Sequence, residues 1–182
     1  MLSMTAHHFS LLARQLAFGA DAFMRRYPNS WLVWESGGTP GRLSDVSLSV
    51  METAIAGTRK APSMPTHTDA LCFVLKAAEG ESLRMGRALD NEVVIAEATV
   101  SRVHGLLSFR GNTWQLLPLS ERRRTLVAGK VAFPGDRLEL VSGTALELGS
   151  VKLSFYDSRD FRSLVAGVPL RASRQAMADD RR

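Results

Sequence analysis

One cysteine, Cys72, stands in a chain of 182 residues. No disulfide can form within the chain, and nothing points to an oxidising compartment. Its neighbours in LCFVL are apolar, which reads as a buried small hydrophobe and not as a reactive thiol. No apolar run approaches the ~18 residues needed to cross a bilayer. SLLARQLAFGADA superficially resembles a signal peptide, but Arg14 and Gln15 interrupt its apolar stretch and no basic region precedes it. The expectation is a cytoplasmic protein with no membrane partner. His7, His8, His67 and His104 have no cysteine partners and no ligand spacing, so neither a metal site nor a cofactor is expected. GGTPGRLS, residues 37–44, lacks the lysine and the residue order of a phosphate-binding loop and reads as a turn.

Charge of one sign is also scarce. Lys and Arg outnumber Asp and Glu by 23 to 18, a modest excess that favours an anionic partner without choosing one. The basic residues are dispersed, and aromatics are not interleaved with them as a single-strand-binding face requires. No nucleic-acid partner is expected. What is present suits a soluble globular protein: hydrophobic residues make up 45% and charged ones 23%. The length allows one domain of ordinary size with its own core, plus appendages.

Along the chain, residues His8 to Tyr27 place Phe9, Leu12, Leu16 and Phe23 at helical spacings, and Pro28 and Asn29 stop the pattern. WLVWE follows as a short strand. Residues 1–56 thus form a helical extension with a strand, and 57–69, GTRKAPSMPTHTD, read as a linker. From Ala70 to Tyr156 come short strand-like pieces: LCFVLKA, SLRMG, NEVVI, HGLLSF, TWQLLPL, TLVAG, RLELV, ALELG and VKLSFY. Turn signals such as DN, RGN, PGD and SGT separate them, so the fold class is mainly β, an antiparallel sandwich. Residues 157–182 comprise a short helix starting at Asp157 and Ser158, with Phe161, Leu164 and Val165 on one face, then a polar, frayed tail. WLVWE is too apolar for water and is expected to dock on the sandwich as part of one folded unit. Packing against a second copy is the alternative, and would make a homo-oligomer through this extension.

The chemistry-bearing stretch is MGRALDNEVVIAEATVSRVHGLLSF, residues 85–109. Arg87 sits in one turn, Ser101 and His104 in a second. The serine and histidine are open to three readings: a nucleophile with its base, metal-site decoys, or parts of an anion pocket with Arg87. No nucleophile-elbow pattern surrounds Ser101, which speaks against hydrolysis.

Gly86-Arg87, Asp90-Asn91 with the VVI run, Ser101-Arg102-Val103-His104, then Ser142-Gly143, Leu148-Gly149 and VKLSF occur in this order. Over about Ala70 to Tyr156 this pattern resembles the forkhead-associated (FHA) domain, a β-sandwich of the SMAD/FHA type that binds phosphothreonine peptides. The resemblance implies a non-enzymatic signalling adaptor whose partner is a threonine-phosphorylated protein, a Ser/Thr kinase or its substrate. It implies that Arg87 grips the phosphate, that Ser101 bonds it through its hydroxyl, and that Arg102 adds a ligand contact. Gly86 and His104 would support the binding loop from behind. The chemistry is consistent, since a phosphothreonine carries about −1.5 to −2 charges and three acceptor oxygens that a planar guanidinium and a hydroxyl can match.

The sequence departs from the family at one loop. Aligned on Thr125, SERRRT places Arg123 and Arg124 where FHA domains carry Asn-Gly, whose asparagine bonds the peptide backbone. An arginine donates but cannot accept. The triplet Arg122, Arg123 and Arg124 would add charge beside the pocket and favour a more acidic or doubly phosphorylated ligand. The alternative is an FHA fold without phosphopeptide recognition, serving as a phosphorylation-independent docking or self-association module.

Overall fold

A computed structural model of the chain describes residues 6–35 and 70–167. In chain order these form β1 (Ala6–His8), α1 (Phe9–Phe18), α2 (Ala20–Arg26), β2 (Ser30–Trp34), β3 (Leu71–Leu75), β4 (Ser82–Gly86) and β5 (Val93–Val94). Then follow β6 (Gly105–Arg110), β7 (Thr113–Pro118), β8 (Thr125–Val127), β9 (Lys130–Ala132), β10 (Leu138–Leu140), β11 (Ala145–Leu148), β12 (Val151–Tyr156) and α3 (Ser158–Val165). The linker expected at 57–69 and the tail after Gly167 lie outside the described residues.

The strands build two sheets. One has seven strands in the order β1-β3-β2-β12-β11-β8-β9, the other five in the order β10-β7-β6-β4-β5. Period-2 alternation decides which side chains meet between them. Leu32 and Trp34 of β2, Leu71, Phe73 and Leu75 of β3, and Val151, Leu153 and Phe155 of β12 share one core with Leu83, Met85, Leu107, Trp114 and Leu116 of the opposite sheet. The intervening residues Trp31, Val33, Cys72, Val74 and Tyr156 face the other way, into a second core with Phe9, Leu12, Phe23 and Phe161 from the helices. The molecule therefore has three layers: helices, large sheet, small sheet. Both faces of β2 and β3 are covered, which is why WLVW and LCFVL are continuous apolar runs without alternating polarity.

The large sheet runs across the position expected to divide extension from sandwich. β2 pairs antiparallel with β3 on one side and β12 on the other, setting Leu32 against both Phe73 and Phe155. Trp31 is fully buried and its ring stacks on Phe161 at 4.1 Å between centroids. Cys72, the single cysteine, is buried in the second core.

Four local readings change. The single helix expected from His8 to Tyr27 is two, because Gly19, a poor helix former, ends α1, its N–H donating to the Leu16 carbonyl. His8 belongs to β1, paired with Leu71. TLVAG is not one strand: Ala128 and Gly129 both adopt positive φ and make the two-residue hairpin turn from β8 to β9 that suits strand twist. The sandwich is not wholly antiparallel, since β4 and β5 pair parallel with Met85 beside Val93. The final helix starts where Asp157 and Ser158 suggest, the Asp157 carboxylate accepting the Asp160 N–H at 2.7 Å and capping α3.

Candidate functional site

Three loops meet at one end of the sandwich: 87–92 after β4, 95–104 between β5 and β6, and 119–124 between β7 and β8. Backbone hydrogen bonds lace the first two together. The Arg87 N–H donates to the Ser101 carbonyl at 2.9 Å and the Ala88 N–H to the Arg102 carbonyl at 3.1 Å. Gly86 permits this approach, because a Cβ there would lie 2.4 Å from the Arg102 carbonyl oxygen and 2.8 Å from that of Ser101. Asn91 adds a side-chain staple, its Nδ2 donating to the carbonyls of Ala88 at 2.8 Å and Arg102 at 2.7 Å.

His104 ties in the third loop. Its N–H donates to the Met85 carbonyl, and its own carbonyl accepts the N–H groups of Leu119 and Ser120. The ring is fully buried. Nδ1 accepts the Ser101 N–H at 3.2 Å, which leaves the ring proton on Nε2 to be donated to the Thr125 hydroxyl at 3.0 Å. Burial pushes the imidazole down to about 4, so at neutral pH it is uncharged and its Nδ1 stays an acceptor. Its contacts are those of a brace. A general base for Ser101 would have to face that hydroxyl, whereas here the ring meets the backbone nitrogen.

Arg87 and Ser101 line one cavity of about 320 Å³, together with Val100, Arg102, Arg122 and Arg123. The four arginines are exposed and Ser101 is half-buried. Arg124, expected beside the pocket, does not line it; its carbonyl accepts the Gly149 N–H at 3.0 Å. Arg84, one turn away in sequence, is different again, because Asp90 and Glu92 lie 3.5 Å from its guanidinium and compensate its charge.

The Ser101 hydroxyl is 2.7 Å from that of Ser120, which also accepts the Arg123 N–H at 3.0 Å. If Ser120 donates its hydrogen to Ser101, the Ser101 hydrogen is left to point at an anion in the cavity. Ser120 and Asn91 are the residues that sequence reasoning assigned no site role. Asn91 had a signal in the Asp-Asn turn; for Ser120 none existed, because its importance depends on a contact 19 positions away.

Residues 83–149 match the FHA domain family model. FHA domains are non-catalytic interaction modules whose common role is binding phosphothreonine peptides. Among solved structures, the chain is similar to the FHA domain of an Arabidopsis thaliana hypothetical protein at 19% identity, covering 81% of this chain and 92% of that one, with a TM-score of 0.47. It is similar to the FHA domain of the CT664 protein from Chlamydia trachomatis at 13% identity, covering 71% and 97%, with a TM-score of 0.46. A third, described in a study of phosphothreonine-dependent FHA domain interactions, has 20% identity, coverage of 70% and 95%, and a TM-score of 0.45. No curated protein matches the chain in sequence. The FHA match ends at Gly149, so β12 and the N-terminal strands complete its large sheet from outside the matched residues.

Among the described residues no group of His, Cys, Asp and Glu is arranged to hold a metal ion, and no helix is long and apolar enough to cross a membrane.

Proposed function

We propose that the cavity binds phosphothreonine on a partner protein and that the chain is a phosphopeptide-binding adaptor. The observation that carries this is that Arg87 and Ser101, 14 positions apart in the sequence, line one open cavity. A guanidinium offers a planar fork of donors and the hydroxyl a short-range one, a combination suited to a dianion with several acceptor oxygens. Arg102 lines the same cavity and supplies a further donor. Ala98, which is exposed, also lines it and offers an apolar contact for the threonine methyl group.

Arg123, where the family carries the asparagine, alters recognition of the peptide backbone, because its side chain cannot accept a hydrogen bond; Arg124 lies outside the cavity lining. The partner class that fits is a Ser/Thr kinase or one of its substrates, in the cytoplasm. Fluorescence anisotropy with a degenerate phosphothreonine peptide library, beside unphosphorylated and phosphoserine controls, tests the reading. Phosphothreonine peptides should bind, phosphoserine ones more weakly, and Arg87→Ala should abolish the signal. A partner captured equally well by wild type and Arg87→Ala would establish phosphorylation-independent docking instead. Binding to random DNA that collapses with salt, without phosphopeptide binding, would assign the basic surface to nucleic acid.

A further inference from the structure

The charge around the cavity exceeds what one phosphate can compensate. Arg87, Arg102, Arg122 and Arg123 all line it, and no carboxylate does. Of the nearby acidic groups, Asp90 and Glu92 face Arg84, while Glu97 and Glu121 keep their charge outside the cavity lining. A single phosphothreonine brings about −1.5 to −2 charges, which leaves roughly two of the four guanidinium charges unmatched.

Resting on the phosphothreonine reading, we propose that the preferred ligand carries two phosphates within three residues, the first held by Arg87 and Ser101, the second by Arg122 and Arg123. The loop geometry supports the division. Arg87 and Ser101 belong to the two loops laced to each other, whereas Arg122 and Arg123 come from the third loop. That loop is fastened to the first phosphate position through Ser120, which bonds the Ser101 hydroxyl on one side and the Arg123 N–H on the other. The backbone of the loop that carries the second pair of cations is therefore tied beside the first phosphate position. Two to three residues of extended peptide span about 7–10 Å, within the reach of arginine side chains from the adjacent loop. Two phosphates bring about −3 to −4 charges and match the four guanidiniums.

The test compares three fluorescent peptides of one sequence on the full chain: phosphothreonine alone, phosphothreonine with phosphoserine two or three residues away, and phosphothreonine with glutamate at that second position. The doubly phosphorylated peptide should bind about tenfold or more tightly than the singly phosphorylated one, with glutamate between them. The variant Arg122→Gln/Arg123→Gln keeps the Arg123 N–H bond to Ser120. With each protein's affinity for the singly phosphorylated peptide as its own baseline, the variant should reduce the ratio of doubly to singly phosphorylated affinity to near one. Equal affinity for the singly and doubly phosphorylated peptides, or a ratio preserved in the variant, overturns the proposal while leaving the phosphothreonine reading intact. Failure of every phosphothreonine peptide to bind removes both. A single-stranded oligonucleotide that displaces the doubly phosphorylated peptide at equal concentration would show a general polyanion surface and overturn the proposal as well.

Discussion

The hydroxyls of Ser101 and Ser120 lie 2.7 Å apart, so the oxygen assigned to the phosphate is already held by a residue of a different loop. With Ser120 donating, the Arg123 N–H, the Ser120 hydroxyl and the Ser101 hydroxyl form a chain of donors directed at the cavity, each bond polarising the next. Ser120→Ala should weaken phosphothreonine-peptide binding about three- to tenfold, as the loss of roughly one hydrogen bond implies, with little change in unfolding free energy. Isothermal titration calorimetry and a urea titration on the same variant separate the two effects. Unchanged affinity would show that Ser101 acts without its neighbour.

His104 makes stability pH-dependent. Burial holds its folded pKa at about 4, below the ordinary imidazole value of 6.5, so the unfolded chain binds the proton more readily. The stabilisation is complete above pH 6.5 and is lost as pH falls toward 4, amounting to ~3 kcal/mol over that interval. His104→Gln should be less stable than wild type at pH 7.5, and the gap should narrow between pH 6.5 and 4 in denaturant titrations. Parallel pH profiles for the two proteins would contradict the neutral, buried imidazole.

Thr125 is buried and receives the His104 Nε2–H. Thr125→Val keeps the volume but removes the hydroxyl partner of the ring, leaving the Arg124 backbone as its other partner, at a cost of about 1 kcal/mol, and should loosen the 101–104 segment. Faster amide exchange at Ser101, measured by NMR, is the local readout; an unchanged exchange rate would mean that another group holds the ring.

Gly86→Ala forces a methyl group against the Arg102 and Ser101 carbonyls. Backbone must move, so the variant should lose at least 2 kcal/mol and any phosphopeptide it binds should be held more weakly. Wild-type thermal stability in this variant would show that the two loops separate freely.

Trp31→Ala removes a fully buried ring stacked on Phe161 and should cost ~3–5 kcal/mol. Unfolding should remain a single transition, because β2 is hydrogen-bonded between β3 and β12. Two transitions, one of them insensitive to the mutation, would mean that the N-terminal strands are a separate unit.

The sequence by itself determined the fold class, the turn positions and the identity of the charged residues in the turns, because strand alternation, turn chemistry and helix capping are local properties of a few neighbouring residues. WLVW was legible as a strand needing cover, and Gly86-Arg87 and Ser101 through His104 as two turns carrying polar groups. Only the tertiary structure decided that β2 lies inside the large sheet, that Arg122 lines the cavity while Arg124 does not, and that Ser120 holds Ser101. Those facts depend on which distant segments are paired and on where each loop side chain is directed, and nothing local in the chain encodes a contact between residues tens of positions apart.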